Sequence, residues 1–576
     1  MQKKIIRRNL DSVQSFSAAA LHPILQRVYS TRGMQSHTEL ERGLERLIPF
    51  DNLTGIHAAV LCLADVIARQ KKILIVGDFD ADGATSTAVA VRALKSFGAQ
   101  QVEFLVPNRF AFGYGLTPEL VDVAQREFQP ELIVTVDNGI ANNAGVEKAK
   151  DFGIKVIVTD HHLPGIELPA ADVIVNPNQP DDIFSSKNLA GVGVIFYVML
   201  ALRRHLSVTE WFTTQNIPEP NMSRLLDLVA LGTVADVVPL DHNNRILVHQ
   251  GLRRIRAGQC IPGISALLEI AGRNQTRLIA ADLGFAVAPR LNAAGRLDDM
   301  SLGIECLLTD DPKKAREIAV ILSEMNDERR LIEQDMQEQA LQILNTLHPD
   351  KKDQLPLGIC LFNPEWHQGV IGIVAARIKE RFHRPVIAFA PSSNDEIKGS
   401  ARSIAGLHIR DVLAQIDTQQ PHLIGKFGGH AMAAGLTLPR ANFEKFSESF
   451  NAVVTSLLSE EQLHNKLLSD GEISESELTL EVAEVLREGG PWGQAFPEPL
   501  FDGIFTLLEQ RLVGNKHLKM VLGLEKITLD AIAFNVDMNI WPNYRCESVK
   551  IAYRMDVNEF RGRRSVQLII DHMEVI

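Results

Sequence analysis

Ile73-Leu-Ile-Val-Gly-Asp78-Phe-Asp80-Ala-Asp82-Gly83 decides how the first third of this chain folds. A short, branched, apolar run breaks into three carboxylates at alternating positions, and a helical pattern over Thr85–Phe97 follows. Such a run, closed by glycine and leading into a helix, reads as a strand buried on both faces. Similar runs recur at Val102–Val106, Leu132–Val136, Val156–Val158 and Val173–Val175, with another helical stretch at Asn143–Phe152. Alternating strands and helices predict a doubly wound parallel sheet in an α/β domain reaching roughly to Leu240.

Two further strands end as the first one does. Leu132–Val136 runs into Asp137-Asn-Gly139, and Val156-Ile-Val-Thr159 into Asp160-His161-His162. Open parallel sheets bind ligands beyond the carboxyl ends of their strands, so these groups are expected in one crevice. Asp236, a charge inside the apolar stretch Val229–Val238, is a fourth candidate. Carboxylates gathered in one crevice repel, and burial disfavours their ionised forms. Divalent cations resolve the conflict, and a mixed carboxylate and imidazole set suits Mn²⁺ or Mg²⁺. Asp80-x-Asp82 can offer one carboxylate to each of two ions about 3.5–4 Å apart, the arrangement for in-line phosphoryl hydrolysis. A single aspartate after a strand is more often a helix cap or turn residue, and Asp78 fits that description. Three acidic strand ends with adjoining histidines do not.

The rest of the chain is organised around this core. Its 576 residues exceed what one core fills, and 45% apolar with 23% charged residues is ordinary for a globular protein. We divide it into an N-terminal extension (1–45), a catalytic α/β domain (46–311), a connecting helix (312–347), a smaller α/β domain (348–457) and a C-terminal β-barrel (458–576). In Pro312–Leu347, Ile318, Leu322, Met325, Ile332, Met336, Ala340 and Ile343 recur at helical spacing with no internal proline. Such a helix, roughly 50 Å long, connects domains or offers a coiled-coil surface. Leu357–Phe362 and Pro385–Ala390 read as strands around a helix at Gly369–Phe382, and Lys519–Leu524, Ser548–Met555 and Ser565–Ile570 as barrel strands. The apolar run Ala190–Leu202 is too short for a bilayer and reads as a buried helix. Five scattered cysteines, none in a CxxC pair, suit a reducing cytoplasm. The net charge of −12 is a sum that leaves room for local basic patches.

These motifs resemble those of the DHH phosphoesterases. Asp78-x-Asp80-x-Asp82-Gly, Asp137-Asn-Gly, Asp160-His161-His162 and Asp236 are similar to that superfamily's four motifs. The resemblance implies that Asp80 and Asp82 each ligate one metal, that Asp137 bridges both, and that His161 and Asp236 complete the second ion's shell. His162 would sit near the phosphate, with Asp160 and Asp78 supporting or extending the shell. Further stretches resemble the RecJ branch: Pro107-Asn-Arg109 with Gly113-Tyr114-Gly115, Ala288-Pro-Arg290-Leu-Asn292-Ala-Ala-Gly295-Arg296, and Trp366-His367-Gln-Gly369-Val-Ile-Gly372. Gly399-Ser400-Ala-Arg402-Ser403, Gly428-Gly-His430-Ala-Met-Ala-Ala-Gly435, Pro491-Trp-Gly493 and Pro497-Glu-Pro-Leu-Phe501 are similar too, the last two opening an OB-fold. This likeness implies a single-strand-specific 5′→3′ DNA exonuclease of recombination and repair that releases 5′-mononucleotides. It also implies a monomer working with a helicase and a single-strand-binding protein.

For the substrate, the resemblance puts Arg109, Ser400 and Arg402 on a 5′-terminal phosphate. Gly399-Ser400-Ala-Arg402 reads as a loop whose backbone N–H groups suit phosphate oxygens. Tyr114 and His430 are further substrate candidates, and Arg290, Asn292 and Arg296 suit a polyanion. Between Trp541 and Arg564 six Lys/Arg face three acids, with Tyr544, Tyr553 and Phe560 interleaved. Cations for phosphates and aromatics for bases are how OB-folds grip single strands, which makes Arg554 and Arg561 candidates beside Lys516 and Lys519. The competing readings are a DHH enzyme of very short or cyclic nucleotides, which lacks such a tail, and a non-catalytic scaffold, which would have lost ligands.

Overall fold

A computed structural model describes residues 3–9, 21–110, 112–347, 355–392, 395–514, 516–560 and 562–576. The parallel sheet is built from β1 (Ile73–Gly77), β2 (Val102–Leu105), β3 (Leu132–Val136), β4 (Lys155–Thr159) and β5 (Val173–Val175). They pair in the order β2-β1-β3-β4-β5, all parallel. The order reverses at β1 beside β3, where an open sheet forms its binding crevice. Every residue of β1 and β3 is buried, as their unbroken apolar runs require.

The helix after β1 is α1 (Ala81–Ser96), which begins before the expected Thr85. Asp80 is its N-cap: Oδ1 accepts from Asp82 N at 2.9 Å and Gly83 N at 3.0 Å. The capping role expected of Asp78 therefore belongs to Asp80. Nearly all of α1 is buried, and its run of Gly, Ala, Ser and Thr lets α2 (Gly191–Val208) and α3 (Leu226–Ala235) approach closely. α2 extends the apolar run read from sequence by a polar last turn. At 18 residues it is long and apolar enough to cross a bilayer, but 67% of it is buried in the fold, as befits a core helix.

The long helix spans Pro312–Leu347, as its periodicity predicted, and the chain divides into two compact units inside it. One unit comprises Arg8–Asn326 with Asp470–Ile576; the other comprises Met1–Arg7 with Asp327–Ser469. In the first, strands Phe501–Val513, His517–Leu524, Ile527–Ala533, Ser548–Phe560 and Arg563–Val575 close into a barrel. Phe501, Phe505 and Tyr553 meet in its interior.

In the second unit a five-stranded sheet has the order Lys426–Gly429, Ala433–Pro439, Glu396–Arg402, Val386–Pro391, Ile359–Phe362. Lys4–Arg7 pairs in parallel with Lys466–Ser469. Gly399–Arg402 is not a loop; it lies in a strand paired on both sides, so its backbone is committed to the ladder. Gly399 is there for packing, since a Cβ would fall 2.5 Å from Phe389 Cε1.

Candidate metal centre

The carboxyl ends of β1, β3 and β4 and the end of α3 deliver their acidic residues to one place. Carboxylate oxygens of Asp78, Asp80 and Asp137 lie within 4.8 Å of one another, as do ligand atoms of Asp82, His161 and Asp236. Asp137 belongs to both neighbourhoods: its Oδ1 is 3.1 Å from His161 Nε2, which is 3.5 Å from Asp236 Oδ2. Asp137 takes a left-handed backbone (φ 63°), an unfavourable state that turns the chain sharply as it leaves the sheet.

Burial pushes up the carboxyl groups of Asp78, Asp137 and Asp236, and their neighbours' charges push further. Asp82 rises to about 7 from burial and the charge of Asp80, although Gly191 N and Val192 N donate to it at 2.7 and 3.1 Å. Such a cluster is costly unless positive charge is supplied. The donors fit that need. Asp78 Oδ1 and Asp137 Oδ1 are buried and accept no hydrogen bond of good geometry. Buried oxygens of this kind normally have partners, and oxygen with imidazole donors are those that hard or borderline divalent ions take.

Asp160 is committed elsewhere. Its oxygens accept from His161 N, His162 N, His162 Nδ1 and Ile140 N at 2.7, 3.1, 2.7 and 3.0 Å. Burial opposes its charge, but His162 and the other donors outweigh burial and hold the carboxyl at about 2. Burial likewise opposes charging His162, yet the bond to Asp160 holds the imidazole at about 9. The bond to Asp160 therefore favours the charged imidazolium. Tyr114 Oη lies 3.3 Å from its Nδ1 and donates to Asp137 O at 3.2 Å, which puts Tyr114 at the centre's edge. The Arg109 guanidinium lies 4.5 Å over the Phe79 ring, beside the same loop.

Several groups that hold this site were not singled out from sequence. Gly191 and Val192, at the start of α2, aim their N–H groups at Asp82. Gly191 has no room for a side chain, since a Cβ would fall 2.6 Å from Asp137 Cβ; at Gly232 one would fall 2.7 Å from Asp82 Oδ1. Asn176 and Asn178 bind the carbonyls of His162 and His161 at 2.9 and 2.6 Å. The available signals were an apolar helix opening on Leu189-Ala-Gly-Val without a capping side chain, and Asn-Pro-Asn directly after a strand.

Residues 72–233 match the DHH family, N-terminal domain; 356–456 match the DHHA1 domain; 469–572 match the RecJ OB domain. The single-stranded-DNA-specific exonuclease RecJ of Escherichia coli (strain K12) is 55% identical over 576 residues, covering 99% of both chains. The chain belongs to the RecJ family. The RecJ of Dickeya dadantii (strain 3937) is 57% identical over 557 residues, 96% of each chain. The crystal structure of RecJ from Thermus thermophilus in complex with Mn²⁺ superposes with a TM-score of 0.80 at 30% identity, covering 99% of this chain and 79% of that one.

The RecJ-like substrate candidates lie in four places. Arg290 is buried against Ala286 O and Ser323 Oγ, Asn292 accepts from Ala81 N at 2.8 Å, and Arg296 lies on the same helix, Ala288–Leu297. Ser400 and Arg402 share one face of their strand, with Arg402 Nη1 donating to Ser400 Oγ at 3.0 Å. His430 sits in the exposed turn of a hairpin. In the barrel, Tyr553 is 1% exposed and belongs to the core. Arg554 is clamped by Glu498 and Asp571 at 2.8 and 2.9 Å, so its charge is already answered. Lys519 lies 3.8 Å from Asp530, and Lys516 is exposed. Arg561 lies outside the described residues.

Proposed function

We propose that this RecJ-family chain hydrolyses single-stranded DNA from its 5′ end, releasing 5′-mononucleotides, with two divalent cations, Mn²⁺ or Mg²⁺, at the carboxylate cluster. The observation that carries this reading is the pair of buried, unsatisfied oxygens of Asp78 and Asp137 in a crevice that also holds Asp80, Asp82, His161 and Asp236. Asp78, Asp80 and Asp137 would hold one ion, and Asp82, His161 and Asp236 the other, with Asp137 common to both. When bound, the cations supply the positive charge needed as negative charge builds on the phosphoryl oxygens.

The chain's own residues do the rest. The bond to Asp160 favours the charged form of His162, whose imidazolium can hold a phosphoryl oxygen and share a proton with the departing 3′ oxygen. Tyr114 fixes that ring through its hydroxyl. For the 5′ phosphate, Ser400 and Arg402 offer a hydroxyl and a guanidinium beside the start of helix Ile371–Phe382, which has no side-chain cap. Gly372 makes that approach possible, since a Cβ would fall 2.8 Å from Arg402 Nη2 and 2.9 Å from Ser400 Oγ. A helix start with uncapped N–H groups favours an anion. Arg109, in the loop after β2, is a separate candidate for a substrate phosphate.

The closed barrel suits strand binding beyond the first nucleotide. We further propose a cytoplasmic monomer that acts in recombination and repair, with a helicase and a single-strand-binding protein delivering its substrate. Digestion of 5′-labelled single-stranded DNA, duplex DNA and RNA with Mn²⁺, Mg²⁺ or chelator tests the reading. Mononucleotides from the 5′ end of the single strand, only with metal, are expected; metal-independent or 3′-end products would overturn it.

A further inference from the structure

We infer that Asn292 is a positioning residue for the metal loop, holding Asp80 in place from a helix remote in sequence. The inference rests on the metal-centre reading above. Asn292 and Gly295 are three apart on the helix Ala288–Leu297, so they share one face. Both meet the same short piece of chain. Asn292 Oδ1 accepts from Ala81 N at 2.8 Å. Gly295 lies against Phe79, where a Cβ would fall 1.9 Å from the carbonyl oxygen and 3.0 Å from its carbon. The two contacts bracket Asp80.

The hydrogen-bond accounts of α1 explain the need. The first N–H groups of a helix have no partner within it. Asp80 Oδ1 answers those of Asp82 and Gly83, and Asp80 O accepts the first intrahelical bond from Ala84 N at 2.9 Å. Asn292 answers the group that Asp80 cannot reach, the N–H of Ala81. Fixing the peptides on both sides of Asp80 restrains its carboxylate, an oxygen of which lies within 4.8 Å of carboxylate oxygens of Asp78 and Asp137. Asn292 thus acts on a cation through Asp80, whereas a contact with a DNA phosphate would use a side chain facing the strand.

The test measures Mn²⁺ binding to the full-length protein by titration and electron paramagnetic resonance, together with kcat and KM on single-stranded DNA. Outer partners of metal ligands are worth about 10–100-fold in affinity or activity. Asn292→Ala is expected to weaken binding of one Mn²⁺ by about 10-fold and to lower kcat, with KM for DNA within about 2-fold. Asn292→Asp, which keeps the acceptor oxygen, should retain Mn²⁺ affinity. Gly295→Ala, which pushes on the same loop from the other side, should reproduce the Mn²⁺ defect. Unchanged Mn²⁺ affinity with a raised KM in Asn292→Ala would overturn the inference and leave the metal centre standing. A wild-type protein that binds no Mn²⁺ would overturn the metal-centre reading, and this inference with it.

Discussion

Gly191→Ala places one methyl group between the two halves of the metal centre. Built on the existing backbone, the new Cβ lies 2.6 Å from Asp137 Cβ, 2.7 Å from its Oδ1 and 2.8 Å from its Cγ. Carbon atoms in good contact are about 3.5 Å apart, so Asp137 or the start of α2 must yield by ~0.9 Å. Alanine is otherwise the better helix former, by at most ~1 kcal/mol, against about 1–3 kcal/mol for overpacking a filled interior. The net loss of stability is therefore small, and the folded protein should survive. The site should not. Gly191 N donates to Asp82 at 2.7 Å while its Cα faces Asp137, so one movement disturbs a carboxylate in each half. Displacements near 1 Å cost on the order of 10²-fold in rate when geometry carries the chemistry. Single-turnover digestion of 5′-labelled single-stranded DNA, with calorimetric Mn²⁺ titration and a thermal melt, separates these effects. We expect a melting point within a few degrees of wild type, a rate lower by about 100-fold and weakened Mn²⁺ binding. Rate and Mn²⁺ affinity both within 3-fold of wild type would refute the packing argument.

Other outcomes follow from the same structure. Asp137→Asn should abolish hydrolysis, by 10³-fold or more on the order of other lost metal ligands, while single-strand binding by fluorescence anisotropy changes little; a parallel loss of binding would contradict separate cutting and gripping surfaces. Mn²⁺ should raise the melting temperature more at about pH 8 than at about pH 6, because Asp82, held near 7, is stabilised as the neutral acid below that value and carries repelled charge above it. His249 is held at about 4, by burial and by Arg42, Arg253 and Arg256, instead of 6.5. The unfolded chain takes up that proton first, so stability is lost as pH falls from 6.5 toward 4; His249→Gln should flatten that part of the melting-temperature profile, and an unchanged slope would contradict it. Arg554→Ala should cost stability through its two carboxylate partners and leave the salt dependence of DNA binding intact, whereas Arg545→Glu, at an exposed position, should weaken binding and reduce the slope by about one phosphate contact.

What could be read from the sequence was what a strand end or a helical period announces locally. Asp78, Asp80, Asp82, Asp137 and Asp160-His161-His162 each follow an apolar run, and topology alone then brings them together. The helix Pro312–Leu347 was equally plain, because its apolar spacing never breaks. What stayed hidden depends on partners distant in the chain. Gly399–Arg402 looks like a loop until Phe389 packs against Gly399 and the strands on both sides appear. Arg554 looks available for DNA until Glu498 and Asp571 close on it. Tyr553 belongs to an alternation whose inward face becomes evident only when the barrel closes. Gly191, Gly232, Asn176 and Asn178 carry no charge to draw attention, yet they set the directions of groups that do.

Anomalous diffraction from crystals soaked in Mn²⁺ would locate the ions of the proposed two-metal centre. Two peaks roughly 3.5–4 Å apart are predicted, one among Asp78, Asp80 and Asp137 and the other among Asp82, His161 and Asp236. No peak there, or Mn²⁺ bound only at other carboxylates, would contradict it.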